Sequence, residues 1–431
     1  MTRRKLIHAI AAAAVGGCAS LVVLPVAASA ATAPRPAQVI PNQYIVVLKA
    51  DALPNSLAGQ NIQNLAQSAL ATVGGGVVLN HYRSALLGFS ARLSANQAAA
   101  LAKLPYVARV EADQVMRASA TQTGATWGLD RVDQRAMPLN GTYIYRDQAG
   151  AGVHVYILDT GLNASHSDFA GRVGAGQNFA PNNDGLIGGL IPGGIVPINI
   201  GALDFGTGLF SSPTDPNDTT DCNGHGTHVA GTAAGTVYGV AKKATVHAVR
   251  VLGCNGSGSN AGVIAGVDWL AANAVKPAVA NMSLGGGDSD ALDQAVKNVI
   301  ASGVAMAVAA GNDSANACSG SPNKVPEAVT VGSTTNTDAM SSFSNFGPCV
   351  DIFGPGSNIT SADYSSNTGS AVLSGTSMAS PHVAGALALL LAQSPGSSPA
   401  ALANALLADA TPGVLTGLGT GSPNALLYTA P

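Results

Sequence analysis

Five short apolar runs alternate with helical stretches between residues 153 and 331, and this alternation constrains the fold more than any other feature of the chain. Residues 153–158, 246–252, 278–284, 304–310 and 328–331 read as buried strands, and 227–236, 261–274 and 291–302 as helices between them. Such an order predicts an α/β fold: a mostly parallel sheet with helices on both faces, whose sites form beyond the carboxyl ends of the strands. A further stretch, 384–392, is almost wholly apolar and reads as a helix buried on all sides.

The chain has 431 residues, 47% of them hydrophobic, enough for a large core and for two or three domains. A net charge of -3 with no basic run argues against nucleic acid as a main partner. Thr2-Arg3-Arg4-Lys5, the apolar run that follows and the exit Ala28-Ser29-Ala30 have the three parts of a secretory signal peptide, so residues 1–30 are expected to be removed and the product exported without stable membrane association. Cys18 leaves with that segment. Cys222, Cys254, Cys318 and Cys349 remain, an even number that suggests two disulfides in an exported chain, with three pairings open.

Residues 42–113 follow the order β-α-β-β-α-β, which predicts a small α+β domain of the ferredoxin-like kind. Residues 114–124 are polar and small, the composition of an exposed linker.

Within Gly375-Thr376-Ser377-Met378-Ala379-Ser380-Pro381-His382, Ser377 falls at the start of the buried helix, where unpaired N–H groups and the helix dipole favour developing negative charge. A serine there is also a common N-cap. Asp159 directly follows the first strand, and His225 stands between glycines in Asn223-Gly224-His225-Gly226-Thr227-His228. A serine hydroxyl needs a base to take its proton, and a histidine base needs an acid to fix its tautomer; Ser377, His225 and Asp159 fill those roles. Asn312, just past another strand, offers a side-chain amide to a tetrahedral oxyanion together with the N–H of Ser377. His225 and His228 as a metal pair lack the carboxylate or cysteine pattern of a zinc site.

These segments, with Asn281-Met282-Ser283-Leu284-Gly285-Gly286 and Ala310-Gly311-Asn312, resemble the subtilisin superfamily, especially its proteinase K and aqualysin branch, from about Trp127 to Tyr428. The resemblance implies a subtilisin-like three-layer α/β fold over residues 120–431, preceded by an inhibitory propeptide over 31–119 that is cleaved near Ser119 and Ala120. It implies a secreted serine endopeptidase with Asp159 as orienting acid, His225 as general acid and base, Ser377 as nucleophile and Asn312 as oxyanion donor. Gly256, Ser257 and Gly258 on one side, and Ser283, Leu284 and Gly285 on the other, are the implied backbone edges for an extended substrate. Ala309, Ala310 and Gly311 are the implied lining of the pocket for the residue before the scissile bond, and small residues there suit apolar or aromatic side chains.

The same resemblance implies the pairs Cys222–Cys254 and Cys318–Cys349. It also implies a structural calcium ion held by Asp351 and the carbonyls of Pro326 and Ala328, with no organic cofactor. Expected partners are protein and peptide substrates and the chain's own propeptide, the enzyme acting as a monomer. Residues 182–218 form an insertion relative to proteinase K, read either as an extension of the cleft or as a tolerated surface loop. An α/β-hydrolase would need the order Ser, acid, His, whereas only His382 follows Ser377. A non-catalytic binding protein on this scaffold would have no use for the complete set of four polar residues.

Overall fold

The computed structural model describes residues 39–49, 61–83, 86–114, 119–180 and 215–429. The expected export signal and residues 181–214, most of the insertion, lie outside the described residues. Two compact units divide between Val115 and Met116.

The first unit contains β1 (Val39–Leu48), α1 (Ile62–Thr72), β2 (Val77–Tyr82), β3 (Gly88–Arg92), α2 (Ala95–Leu101) and β4 (Val107–Gln114). Its sheet runs β2-β3-β1-β4, every pair antiparallel. That is the ferredoxin-like arrangement the element order predicts. Val46, Leu65, Leu70, Phe89 and Leu101 are shielded together between sheet and helices. Ser94 and Gln97 close a capping box at the start of α2, satisfying two N–H groups that the helix itself leaves unpaired.

The second unit opens with β5 (Ser119–Thr123), α3 (Trp127–Val132) and β6 (Thr142–Arg146), then β7 (His154–Asp159), β8 (Gln177–Asn178), α4 (His225–Ala234) and β9 (Thr245–Arg250). It continues through α5 (Asn260–Asn273), β10 (Ala278–Met282), α6 (Asp290–Ala301), β11 (Ala305–Ala309), β12 (Val329–Thr334) and β13 (Ile352–Pro355). The hairpin β14 (Ile359–Ala362) and β15 (Ser370–Leu373) leads into α7 (Thr376–Gln393), followed by α8 (Pro399–Asp409), β16 (Thr411–Pro412) and β17 (Ala425–Leu426). The 114–124 stretch is not the plain linker its composition suggests. Ser119–Thr123 pairs antiparallel with β6, from Ser119 opposite Arg146 to Thr123 opposite Thr142, and such backbone pairing leaves no mark on side-chain polarity.

Among the described residues, nine strands form the central sheet in the order β16-β17-β13-β12-β11-β10-β7-β9-β8, parallel except for β16 with β17. Successive side chains on a strand face opposite layers. Val155 and Ile157 accordingly pack with α4, α7 and α8, while Tyr156 and Leu158 pack with α5 and α6. Ala305 and Ala307 divide from Met306 and Val308 in the same way. Both faces are covered, which is why the strands read as continuous apolar runs. From β7 the chain goes out to β8, returns through β9 on that side and then crosses to β10 on the other, so the strand order reverses beside β7, the place where open parallel sheets form their crevice.

Arg131 of α3 is fully buried, its guanidinium bidentate to Asp338 in the turn after β12 (Nε to Oδ1 2.7 Å, Nη2 to Oδ2 3.0 Å). Asp338 adopts a left-handed backbone (φ 60), which asparagine also tolerates. Asp338→Asn should therefore leave the turn intact but strand a buried cation. The expected loss of stability is about 3–5 kcal/mol, read as a lower denaturation midpoint against wild type.

Candidate active site

The candidate residues lie at the carboxyl ends of β7 and β11 and at the starts of α4 and α7. Asp159, the last residue of β7, is fully buried and its Oδ1 meets Nδ1 of His225 at 2.8 Å. The same Oδ1 accepts the N–H of Thr160 (2.8 Å). His225 opens α4, with Gly224 at the N-cap in a left-handed conformation (φ 106) that glycine alone adopts without strain. Gly226 lets the helix start press against β7's exit, since a Cβ there would stand 2.3 Å from the carbonyl oxygen of Gly161. Burial pushes the imidazolium of His225 down, but the Asp159 charge and hydrogen bond outweigh it and leave the group above its ordinary value.

Asp221 is a participant that the sequence reading missed. Its buried carboxylate takes Thr160 Oγ1 (2.9 Å) and the N–H groups of Asn223 and Gly224 (both 2.9 Å) on Oδ1. Oδ2 takes the N–H of Thr227 (2.9 Å) and its hydroxyl (2.6 Å). One carboxylate thus ties the residue after Asp159 to the turn that presents His225. Burial opposes its charge, yet these donors hold its carboxyl below the usual range. The available signal was an Asp two and three residues ahead of Asn223-Gly224, the pattern of a side chain closing a turn.

Ser377 is the second residue of α7, and Pro381 lies inside that helix. A proline at that position removes the N–H that would bond the carbonyl of Ser377. The freed carbonyl is taken instead by the hydroxyl of Ser283 (2.7 Å), which is itself held by Asn281 Nδ2 (2.9 Å). Asn281 Oδ1 in turn accepts from Ser380 (2.7 Å). The hydroxyl of Ser377 donates to the carbonyl of Ser283 at 3.2 Å rather than to His225. Ser377 and His225 line two cavities that share Leu284, Gly285 and Gly286 in their walls.

Asn312 follows β11 by a short turn. Its Oδ1 accepts both the N–H (2.8 Å) and the hydroxyl (2.9 Å) of Thr376, which fixes the amide with its NH2 on the opposite side. Asn312 lines a cavity of about 540 Å³ together with Ala309, Gly311, Thr376 and Ser377. Ala310 does not line it. Its side chain is buried and its carbonyl is held by Asn323 (2.8 Å) and Asn345 (2.9 Å). Asp313, an exposed acid next to Asn312, also lies on the cavity wall. A second cavity of about 360 Å³ is lined by His225 and by Gly256, Ser257, Gly258, Ser283, Leu284 and Gly285, so the two expected edges face each other across it.

Disulfides join Cys222 to Cys254 and Cys318 to Cys349. The first links the turn before His225 to the Gly256 edge, reinforced by Asn223 Nδ2 on the carbonyl of Cys254 (3.0 Å). His228 is no partner of His225 for a metal: it is buried, its Nε2 donates to Ile359 (2.9 Å), and burial pulls its pKa down to about 4. His382 is buried too, bonded to the carbonyl of Met378 (2.8 Å).

The pattern of the Subtilase family matches residues 150–423. This chain belongs to the subtilase family. Its first unit coincides with a second match, to Peptidase inhibitor I9, over residues 43–119, so the subtilase carries its inhibitory propeptide ahead of the peptidase domain. An "Extracellular serine proteinase" of Thermus sp. (strain Rt41A) is 50% identical over 404 residues, covering 91% of this chain and 90% of that protein. "Alkaline serine exoprotease A" of Vibrio alginolyticus is 44% identical over 401 residues, covering 90% and 68% respectively. Among solved structures, a cold adapted subtilisin-like serine proteinase matches with a TM-score of 0.62 at 46% identity, covering 72% of this chain and all of that one. The protein is a secreted subtilisin-like serine peptidase.

The Asp221 network yields a test. Asp221→Asn turns an acceptor toward its donors as an amide, and the expected loss is about 2–4 kcal/mol. A carboxyl depressed in the fold adds stability that is complete above its unfolded value of about 4 and is lost as pH falls through the lower folded value. Melting curves from pH 2 to 6 should therefore converge for wild type and variant at the acid end.

Proposed function

We propose that this subtilase hydrolyses internal peptide bonds of proteins through an acyl-enzyme, with Asp159, His225 and Ser377 as triad and Asn312 as oxyanion donor. The observation that carries the reading is the 2.8 Å contact of Asp159 with His225 Nδ1 at the strand-order reversal. That contact fixes the tautomer with a lone pair on Nε2, the state a general base needs. Rotation of the Ser377 hydroxyl from the Ser283 carbonyl toward Nε2 lets it lose its proton as it attacks the scissile carbonyl. The oxyanion then meets the Asn312 NH2 and the N–H of Ser377 at the helix start. His225 passes the proton to the leaving nitrogen, and water repeats the sequence on the ester.

An extended substrate lies between the Gly256–Gly258 and Ser283–Gly285 edges as an added strand. The pocket beside Ala309 and Gly311 accepts apolar or aromatic side chains broadly. Residues 1–30 act as the export signal, and the enzyme frees itself from its propeptide by cleaving near Ser119 and Ala120. Calcium suits Asp351 with the carbonyls of Pro326 and Ala328, an all-oxygen set. Strand register supports this grouping: Asp351 precedes Ile352, which stands opposite Val331, and Asp351 Oδ2 accepts the N–H of Thr330 (2.8 Å), two residues from Ala328. Bound there, the ion would pin the starts of β12 and β13.

Ser377→Ala in the full chain should stay unprocessed, with peptide hydrolysis reduced by about 10⁶; a processed, active variant refutes the assignment. The acid limb of kcat/KM should follow His225, activity falling as pH drops through its raised pKa. Asp159→Asn removes the charge that raises it. The limb should then move to lower pH while the plateau falls by about 10⁴, measured on a chromogenic anilide.

A further inference from the structure

Both cavities lie toward the Gly285 and Gly286 side of Ser377 and His225, and no residue of the β14–β15 hairpin lines either. They provide for the acyl half of a substrate. The leaving half must depart on the opposite flank, past Gly224 and the hairpin that runs into Gly375 and Ser377.

The tip of that hairpin is held in place from three points. Asn163 Nδ2 donates to the carbonyls of Tyr364 (3.0 Å) and Ser366 (3.3 Å) and to Asn367 Oδ1 (3.1 Å). The N–H of Ser167 bonds the carbonyl of Asn367 (2.7 Å). His166 accepts the N–H of Asp168 on Nδ1 and so donates from Nε2 to Gly369 (2.8 Å). Held this way, the Tyr364 ring lies on Gly224, the residue before His225: a Cβ on Gly224 would stand 2.6 Å from its Cδ1. Yet the residue remains 38% exposed. An aromatic face fixed at its base and open above, next to the base that protonates the leaving nitrogen, offers apolar contact without an ordering cost.

We propose that Tyr364 forms a subsite for the leaving half of the substrate, receiving an aliphatic or aromatic side chain from one of the first two residues beyond the scissile bond. This rests on the serine peptidase reading and adds a second point of selection to it. Contact there orients the departing amine toward His225 and matters only for substrates that have such residues.

The test uses the processed enzyme with Tyr364→Ala and Tyr364→Phe. Quenched peptides share one acyl half and carry Gly, Leu or Phe at the first or second position beyond the cleaved bond. A p-nitroanilide with the same acyl half has no residue there. Wild type should prefer Leu or Phe to Gly at one of the two positions. Tyr364→Ala should lose about tenfold in kcat/KM on the preferred peptides while staying within about twofold on the anilide, and Tyr364→Phe should keep the preference. The proposal fails if wild type shows no preference at either position, if Tyr364→Ala keeps it, or if anilide and peptides fall in parallel. Anilide turnover that survives Ser377→Ala would instead overturn the peptidase reading itself.

Discussion

The site depends first on a carboxylate that takes no part in the proposed chemistry. Asp221 joins Thr160, which leaves β7, to the N–H groups of Asn223, Gly224 and Thr227 around the start of α4. Together with the N–H of Gly226 on Thr160 Oγ1 (2.9 Å), it anchors the exit of β7 to the start of α4, across which Asp159 approaches His225 at 2.8 Å. Five donors on two buried oxygens make an interaction whose worth lies less in its own attraction than in the cost of leaving any one donor unmet. The Cys222–Cys254 bond extends the same constraint outward, so that the proposed substrate edge at Gly256 and the imidazole share a foundation.

A comparable economy operates at α7. A proline inside a helix ordinarily weakens it by removing one backbone bond. Here the carbonyl thus released belongs to Ser377 and is bound by Ser283, the first residue of the facing substrate edge. Helix start and edge are joined through Asn281, Ser283 and Ser380, all three buried and hydrogen-bonded to one another or to the helix. The irregularity in the helix is what lets the two sides of the cleft be bonded together.

The sheet was legible in the sequence because each central strand is apolar on both faces, and the helices because their lengths and positions alternate with those strands. Strand boundaries moved little, the run at 246–252 becoming Thr245–Arg250, whereas the helix expected over 384–392 extends back to Thr376. Short strands held by backbone pairing, without a long apolar run, left no such trace, as with Ser119–Thr123 on β6 and the β14–β15 hairpin. Residue types and family resemblance made Asp159, His225, Asn312 and Ser377 the candidates. Side-chain direction was not available from them. Ala310 sits between two residues that line a cavity and faces the other way, as alternation along an extended chain requires. Asp221 looked like any turn aspartate, and Tyr364 like any exposed loop tyrosine, since what distinguishes each is a partner far along the chain.

Asn312 is aimed by Thr376, the residue that immediately precedes Ser377. In the proposed mechanism, attacking oxygen and stabilising amide are therefore mounted on one short piece of backbone. A shift of the helix tip would carry both in the same direction and leave their separation little changed. Precision at the reacting carbon then becomes a property of a shared mount, and the surrounding loops are at liberty to vary without blurring it.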